Sequence, residues 1–431
     1  PQRTSNLYNY SSSGITAGKD RVFEGFGELD ATLLRNRPFF DELSVNGSLR
    51  YTNYRSYGSQ WTYRVGGGWA PISNIRFRGN YGTAFRAPNL FEQFVADQTG
   101  FGLPSVDPCD DFAQKASPGE PLYDNCFSQV GGFLNSDIDG DGVNDNFVAT
   151  SGPQVTVKGG AGLLDAEKSK SWGLGVVLTA PPQFGDLTFA IDYFNLEVNG
   201  QVNRLGGEIL DLCYEAEDFP NNVYCSLIDP RVPAQGNLTN FDDSYINIAR
   251  QKATGIDFSG RFAKDLLGGQ FSTDVRATRM LKQIVQNFPE EDPFDYNGLL
   301  GYQGTIGGPK WVGALDMRYS RGPWTFRWGV EYVGKMDTGP FVDDAELEDG
   351  TVVETDLKAE PYWEHGVSVR YTWKDVGQFT LGVNNLFDED PATISSHTRS
   401  EGQFPKIGNW FNYSGYDFIG RSVFLNVTRS F

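Results

Sequence analysis

Strict alternation between large apolar and polar side chains recurs along most of this 431-residue chain and limits its fold more than any other feature. In residues 324–332, aromatic and aliphatic residues occupy every second position, and Thr, Arg, Gly and Glu fill the positions between them. Residues 367–374 repeat the pattern with Ser, Arg, Thr and Lys on the second face. A period of two residues is typical of β-strands that have one apolar face.

The charged face of these strands distinguishes a β protein with a dry core from a membrane barrel with a water-filled lumen. No stretch approaches the roughly 18 apolar residues of a membrane-spanning helix, which excludes a helical membrane protein. A dry protein core could not cover a row of Arg and Lys, whereas a water-filled lumen could. We therefore expect an all-β, transmembrane antiparallel β-barrel. Thirteen strands are predicted, at about 21–33, 43–53, 61–69, 75–85, 172–178, 187–197, 254–262, 271–279, 311–319, 324–332, 367–374, 379–385 and 421–431.

The segments between these strands alternate between two kinds. Short connectors are expected at 34–42, 70–74, 179–186, 263–270, 320–323 and 374–378. The intervening connectors, 54–60, 86–171, 198–253, 280–310, 333–366 and 386–420, are with one exception tens of residues long. Short periplasmic turns and long extracellular loops are typical of outer-membrane barrels. The largest extracellular insertions are thus predicted at about 86–171 and 198–253.

The last predicted strand adds an independent indication. Val423, Leu425, Val427 and Phe431 fall on one face, and the sequence stops at that phenylalanine. A terminal aromatic residue that closes an alternating strand resembles the signal by which outer-membrane barrels are recognised for insertion.

Residues 74–94, with the sequence NIRFRGNYGTAFRAPNLFEQF, resemble a hallmark segment of TonB-dependent receptors, in which a strand runs into an Ala-Phe-Arg-Ala-Pro motif. Pro88 would end strand pairing because it lacks an N–H group. Similar segments follow in the order expected for that family, at 164–169, 253–257, 381–388 and 420–431. The resemblance thus covers nearly the whole chain.

This resemblance implies a 22-stranded barrel in the bacterial outer membrane, closed by an N-terminal plug domain that carries the TonB box. The chain departs from that pattern, since it contains no plug-like segment or TonB box and about nine fewer strands. Residues 1–20 are expected in an extracellular loop, and Pro1 begins no signal peptide. We expect the plug and the other strands in the N-terminal part of the same protein or in a separate subunit.

Energised import of a scarce ligand is the leading functional hypothesis that the resemblance implies, with the TonB system acting through the plug. The ligand would be an oligosaccharide or of siderophore type; haem is disfavoured because residues 86–171 contain no histidine. The alternatives are a structural or assembly component of an outer-membrane complex and a passive porin. Loop aromatics that could stack on a ligand are Phe91, Phe94, Tyr214, Tyr224, Trp410, Phe411 and Tyr413.

An acidic motif in the first long loop, DIDGDGVND at 137–145, matches the first nine positions of a calcium loop. A glycine at the sixth position permits the sharp turn, but Val148 stands where an EF-hand has its bidentate glutamate. The motif is closer to the loops of thrombospondin type 3 repeats. A structural calcium ion is therefore expected, with oxygen ligands from Asp137, Asp139, Asp141, Val143 and Asp145.

The four cysteines form two close pairs within polar segments, Cys109 with Cys126 and Cys213 with Cys225. Neither pair has CxxC spacing, and the chain has only two histidines to complete a metal site. Two local disulfides in an extracytoplasmic compartment are predicted.

The net charge of −19 argues against a nucleic-acid partner, because phosphate binding requires clustered Lys and Arg. Two interpretations remain open: a solvated acidic surface, or acidic loops that gather divalent cations. No nucleophile elbow, HExxH motif or cysteine–histidine pair occurs, so an enzyme is not expected. The partners expected besides the plug, TonB and a small ligand are outer-membrane lipid and lipopolysaccharide.

Overall fold

The computed structural model describes most of the chain. The described residues are 14–138, 140–160, 163–286, 292–300, 307–337, 339, 343–346, 352–355, 358–393, 406–407, 410–411 and 413–429. Asp139 and Phe431, which carry two of the expectations above, lie outside them, as does most of the N-terminal segment 1–20.

One large antiparallel sheet, here called the wall, contains thirteen consecutive strands. Its strands are β1 (Val22–Arg37), β2 (Phe40–Tyr54), β3 (Gly58–Ile72), β4 (Ile75–Arg86), β5 (Glu167–Thr179), β6 (Asp186–Asn203), β7 (Ile246–Leu266), β8 (Gly269–Gln286), β9 (Trp311–Arg321), β10 (Trp324–Val333), β11 (Tyr362–Trp373), β12 (Gly377–Asn384) and β13 (Ser422–Thr428). A two-residue strand, Phe294–Asp295, pairs with β8 outside this path.

Each strand of the wall pairs with the next one along the chain. Every predicted strand overlaps one of these strands, so the fold class inferred from the alternation is confirmed. Several strands extend further at the extracellular end than predicted. The two large insertions therefore run from 87 to 166 and from 204 to 245, shorter than the predicted 86–171 and 198–253, because backbone pairing continues beyond the apolar part of each strand.

The turns at one end of the wall contain two to six residues. In the turn between β7 and β8, Leu267 and Gly268 have φ angles of 51° and 76°. Two consecutive positive φ angles characterise the tight hairpins that match strand twist. The connector between β2 and β3 at the other end is also a short hairpin, 55–57, whereas the remaining five connectors there are long.

The two faces of the wall differ in the way the alternation predicts. Trp328, Leu174 and Leu425 lie on the apolar face and are 43%, 61% and 69% exposed to the surroundings. In water such exposure would be unfavourable at about 25 cal/mol per Å², but hydrocarbon removes that cost. The opposite face carries charged and polar residues and glycine.

The long connectors contain the remaining elements. Helices span Leu90–Phe94, Phe112–Lys115, Pro121–Val130 and Glu208–Tyr214, and 3-10 helices span Pro104–Val106, Pro182–Phe184 and Cys225–Leu227. Short strands span Gln98–Phe101, Gln154–Val157, Asn240–Asp242, Met336–Asp337, Asp343–Glu346, Val352–Thr355, Lys358–Ala359, Lys406–Ile407 and Trp410–Phe411. Within the described ranges, no helix has the length and apolarity needed to cross a bilayer.

Candidate functional site: the loop module and the lumen face

The Ala-Phe-Arg-Ala-Pro segment ends β4 and fixes the rim of the wall. Arg86 donates to Glu167 Oε2 at 2.7 Å and to both carboxylate oxygens of Glu92 at 3.1 Å. Asn89 and Glu92 form a reciprocal capping box that starts helix Leu90–Phe94. Because Glu167 begins β5, Arg86 ties two neighbouring strands to the helix that follows Pro88. Both partners lie in segments that carried the family resemblance.

The two largest loops form one compact body above β4–β7, here called the loop module (87–138, 140–160, 163–166 and 204–245). Strand Gln154–Val157 of the first loop pairs antiparallel with Gln98–Phe101 and parallel with Asn240–Asp242 of the second. The side chain of Asn125 donates to the Tyr214 and Ala216 carbonyl oxygens at 2.8 and 2.9 Å. These bonds join the loops directly, so they form one unit and not two independent loops.

Both cysteine pairs form disulfides inside this module. Cys109–Cys126 and Cys213–Cys225 have Cα–Cα distances of 5.2 and 4.9 Å, and each bridge closes a segment within one loop. Three of the four cysteines belong to an apolar cluster with the fully buried rings of Phe112 and Phe147. The disulfides thus support a small globular core that combines residues of both loops.

A buried ion pair lies at the contact between the loops. Arg231 donates to both carboxylate oxygens of Asp107 at 2.6 and 2.7 Å, and the two side chains are only 7% and 1% exposed. Arg231 also donates to the Tyr214 hydroxyl at 2.9 Å and lies over that ring. The pair joins residues 124 apart in sequence, which explains why no local pattern predicted it.

Helix Glu208–Tyr214 contributes an acidic cluster to the same module. Burial, together with the charges of Glu208 and Glu215, raises the pKa of Asp211 to about 7, against a weaker opposite effect of Lys115. Burial also raises the pKa of Glu208. The protonation of this helix is therefore sensitive to pH near neutrality.

The acidic motif 137–145 forms a tight turn at the edge of the module. The Asp137 carboxylate accepts from the backbone N–H groups of Gly140 and Gly142 at 2.7 and 2.8 Å. Asp145 Oδ1 accepts from Ile138 N at 3.1 Å, and Asp141 Oδ1 from Val143 N at 2.7 Å. Among the described residues, which exclude Asp139, no three acidic, His or Cys side chains converge closely enough to hold a metal ion.

The loop aromatics divide into core and surface residues. Tyr214 is buried under Arg231, and Tyr224 and Tyr413 pack against apolar clusters. Phe91 is 49% exposed and contacts Tyr245 edge to face at 6.4 Å. The side chains of Trp410 and Phe411 lie outside the description. Of the predicted loop aromatics whose side chains are described, Phe91 is the most exposed.

The lumen-facing side of the wall carries paired charges. Arg78, Gly175 and Asp192 lie side by side on β4, β5 and β6. Arg78 Nε donates to Asp192 Oδ1 at 2.7 Å, and Gly175 between them leaves room for the pair. A Cβ atom at Gly175 would lie 1.9 Å from that oxygen. Arg76 pairs with Glu42, and Arg327 with Asp316. A cavity of about 480 Å³ lies against β8–β12, with carboxylates and guanidinium groups in its lining.

An antiparallel wall with one apolar face, one polar face and long loops at a single end defines the transmembrane part of an outer-membrane β-barrel. The chain belongs to the family described as TonB dependent receptor-like, beta-barrel, whose model matches residues 2–386. Its location is accordingly the bacterial outer membrane.

Solved structures of the same fold include the ferric enterobactin receptor PfeA of Pseudomonas aeruginosa, with a TM-score of 0.56 and 14% identity over 94% of this chain. The siderophore receptor PirA of Acinetobacter baumannii has a TM-score of 0.55 and 12% identity over 94% of this chain. This chain covers 44% and 45% of those two chains.

A shorter similarity extends to the vitamin B12 transporter BtuB of Vibrio cholerae, 38% identical over 50 residues. The match covers 12% of this chain and 8% of that transporter.

Proposed function

We propose that this protein is a TonB-dependent receptor that imports a scarce ligand across the outer membrane. The observation that carries the proposal is the family match over residues 2–386. The loop module above β4–β7 would capture the ligand outside the cell, and the polar lumen would pass it inward. No chemistry on the ligand is required.

The wall also supports the proposal that further strands and a plug domain complete the barrel. Within the described chain, β1 pairs only with β2 and β13 only with β12. An unpaired strand edge in lipid costs several kcal/mol for each unsatisfied backbone group. Partner strands from the same protein or a separate subunit would remove that cost. The plug would fill the lumen against Arg64, Arg76, Arg78, Arg327 and Arg370, and would transmit the pull of TonB.

A siderophore-type ligand is our first candidate and an oligosaccharide the second. PfeA is named as a ferric enterobactin receptor and PirA as a siderophore receptor, and the loop aromatics suit either ligand class. Uptake of radioactive iron bound to a catecholate siderophore, compared with uptake of a labelled oligosaccharide, would distinguish the two in a strain without the gene. Uptake of either ligand should return with the gene and disappear when TonB is depleted.

A passive porin and a purely structural component remain the alternatives, and conductance separates them from a receptor. The complete protein in a planar bilayer should stay nearly closed if a plug fills its lumen. Constitutive ion conductance that is independent of TonB would contradict import and favour a porin. A closed protein that restores no uptake of any ligand would favour the structural role.

Phe91 offers a direct test of ligand capture by the module. Replacing it with Ala should weaken ligand binding by about 1–3 kcal/mol, because an exposed ring is removed from the contact surface. Phe127 is a matched control, since it is also 49% exposed and lies in the same module. Equal binding by F91A and F127A would exclude Phe91 from the site.

We also propose that the 137–145 turn binds one structural calcium ion. Its support is the spacing of Asp137, Asp139, Asp141 and Asp145, with oxygen from Val143, in the order of calcium loops. The double variant D139A/D141A should lower calcium content by one ion for each protein and expose the turn to protease. Unchanged calcium content and protease resistance would leave only a solvated acidic loop.

A further inference from the structure

Six basic side chains lie on the lipid-facing side of the wall near its extracellular end. On this face of β5, Leu174 and Trp172 are followed by Lys170 and Lys168. The pairing of Lys170 with Thr83 and of Lys168 with Phe85 fixes their side, because Phe85 continues the outward row of β4. We call the group the basic patch; its members are Lys168, Lys170, Arg250, Lys252, Arg279 and Lys282.

The strand register brings these residues together from three strands. Glu197 of β6 lies opposite Lys170 on one side and Lys252 on the other. Asn199 in the same way lies between Lys168 and Arg250. Lys282 and Arg279 of β8 are neighbours of β7 on the same face, and the Arg279 guanidinium lies 5.6 Å from the centre of the Trp311 ring.

The patch lies just above an aromatic row. The rings of Trp172 and Tyr193 are 5.0 Å apart, and aromatic pairs of this kind mark the membrane interface. Two residues of a strand span about 6.8 Å, which is close to the thickness of the headgroup layer that borders the hydrocarbon. Lys170 therefore lies at the depth of the lipid headgroups.

Aromatic residues occupy the corresponding outward positions on six other strands, β1 to β4, β10 and β11. They are Phe23, Tyr51, Trp61, Phe85, Tyr332 and Trp363. Glu197, the carboxylate between Lys170 and Lys252, pairs with Arg250 at 3.2 Å, and Asp295 lies beside Ile284 at the edge of the patch. Lys168, Lys170, Lys252 and Lys282 form no ion pair with any residue in the described part of the chain.

We infer that the basic patch binds the phosphate groups of a glycolipid in the outer leaflet. Unpaired ammonium groups at headgroup depth attract phosphate, and the apolar rows below them contact the acyl chains of the same molecule. A soluble anion would have no reason to bind at a surface that faces hydrocarbon. This inference concerns the outer surface and is independent of the import proposed above.

Native mass spectrometry of the complete receptor, purified from outer membranes, tests the inference with bisphosphorylated lipid A as the probe. The variant K168Q/K170Q/K252Q should lose affinity by about fivefold for each lysine, or about a hundredfold in total. The control K115Q/K264Q/K374Q removes the same charge elsewhere. Equal losses in both variants, or wild-type affinity in the first, would overturn the inference.

A second variant gives an effect that misfolding could not produce. E197Q removes the negative charge between Lys170 and Lys252 and frees Arg250, so it should strengthen lipid A binding by about fivefold. Dephosphorylated lipid A should bind as weakly as the triple variant does to the intact lipid. If inorganic phosphate competes at the concentration of lipid A, the site is a free-anion site and the lipid assignment is wrong.

Discussion

The wall and the loop module are built from one chain but are stabilised in different solvents. The wall has most of its apolar residues outside and most of its charges inside, and its order comes from backbone pairing between consecutive strands. The module is organised like a small secreted domain, with buried Phe112 and Phe147, two disulfides and the buried pair Arg231–Asp107. An exposed apolar side chain therefore contacts lipid in the wall but water in the module.

Leu174 and Leu103 illustrate how the effect of exposure differs between the two regions. Leu174 in the wall is 61% exposed and Leu103 in the module is 69% exposed. In the wall, the exposed leucine contacts lipid and stabilises the inserted state. In the module, it contacts water and contributes little. Exposure by itself thus does not predict the effect of a substitution in this protein.

The largest expected effect is in the module. R231M leaves the buried Asp107 carboxylate without a counter-charge, with a hydrogen bond from the Cys109 N–H remaining. It should destabilise the module by about 3–5 kcal/mol, while the wall is unaffected. Hydrogen exchange in residues 87–166 and 204–245 measures the loss. The double variant R231M/D107L should recover most of it, because two apolar side chains replace the pair.

Lys158 and Asp242 provide the matched control for that experiment. They join the same two loops at 3.1 Å, but they lie at the surface. K158M should cost no more than about 1 kcal/mol. Equal exchange rates in R231M and K158M would show that burial of the ion pair is irrelevant to the module.

The next effect belongs to the wall. L174R puts a charge on the lipid-facing side and should destabilise the inserted barrel by about 2–4 kcal/mol, whereas L103R should change stability by less than about 0.5 kcal/mol. Urea unfolding in lipid vesicles, followed by tryptophan fluorescence, measures both. If L174R is as mild as L103R, β5 does not face lipid at this position.

The smallest effect depends on pH. The pKa of Asp211 is about 7 in the folded module, above the value of about 4 in an unfolded chain. The folded state binds more protons between these values, so stability falls as pH rises from about 4 to 7. D211N removes that loss and should stabilise the module by about 1 kcal/mol at pH 8, with little effect at pH 4.

Thermal protection of the module at the two pH values checks this prediction. The control E217Q alters an exposed carboxylate in the same connector and should have no comparable effect. An equal effect of D211N at pH 4 and pH 8 would show that the substitution acts through packing and not through charge.

The strands of the wall were largely predictable because the residue pattern of each strand indicates which face contacts lipid and which faces the lumen. Alternation in residues 324–332 and 367–374 gave the faces of β10 and β11, since side chains of a strand alternate between its two sides. Strand ends were less predictable. β7 and β8 continue beyond the apolar residues, because ladder hydrogen bonds persist where side-chain pattern no longer requires them.

The motif around Arg86 was recognised from the sequence, but its role came from the structure. The sequence indicated that Pro88 ends the strand. Only the folded chain brings Glu167 and Glu92 to the same guanidinium. The cysteine pairs could be assigned in advance because their partners are close in sequence and few alternatives existed.

The sequence by itself determined the barrel class, the direction of each strand face, the alternation of turns and loops, and the local cysteine pairs. The tertiary structure alone decided that residues 87–166 and 204–245 form one module, that Arg231 binds Asp107, and that lysines from separate strands form the basic patch. Strand periodicity is a local property, set by backbone geometry within a few residues. Contacts between residues more than a hundred positions apart depend on how the whole chain packs, and no local pattern encodes them.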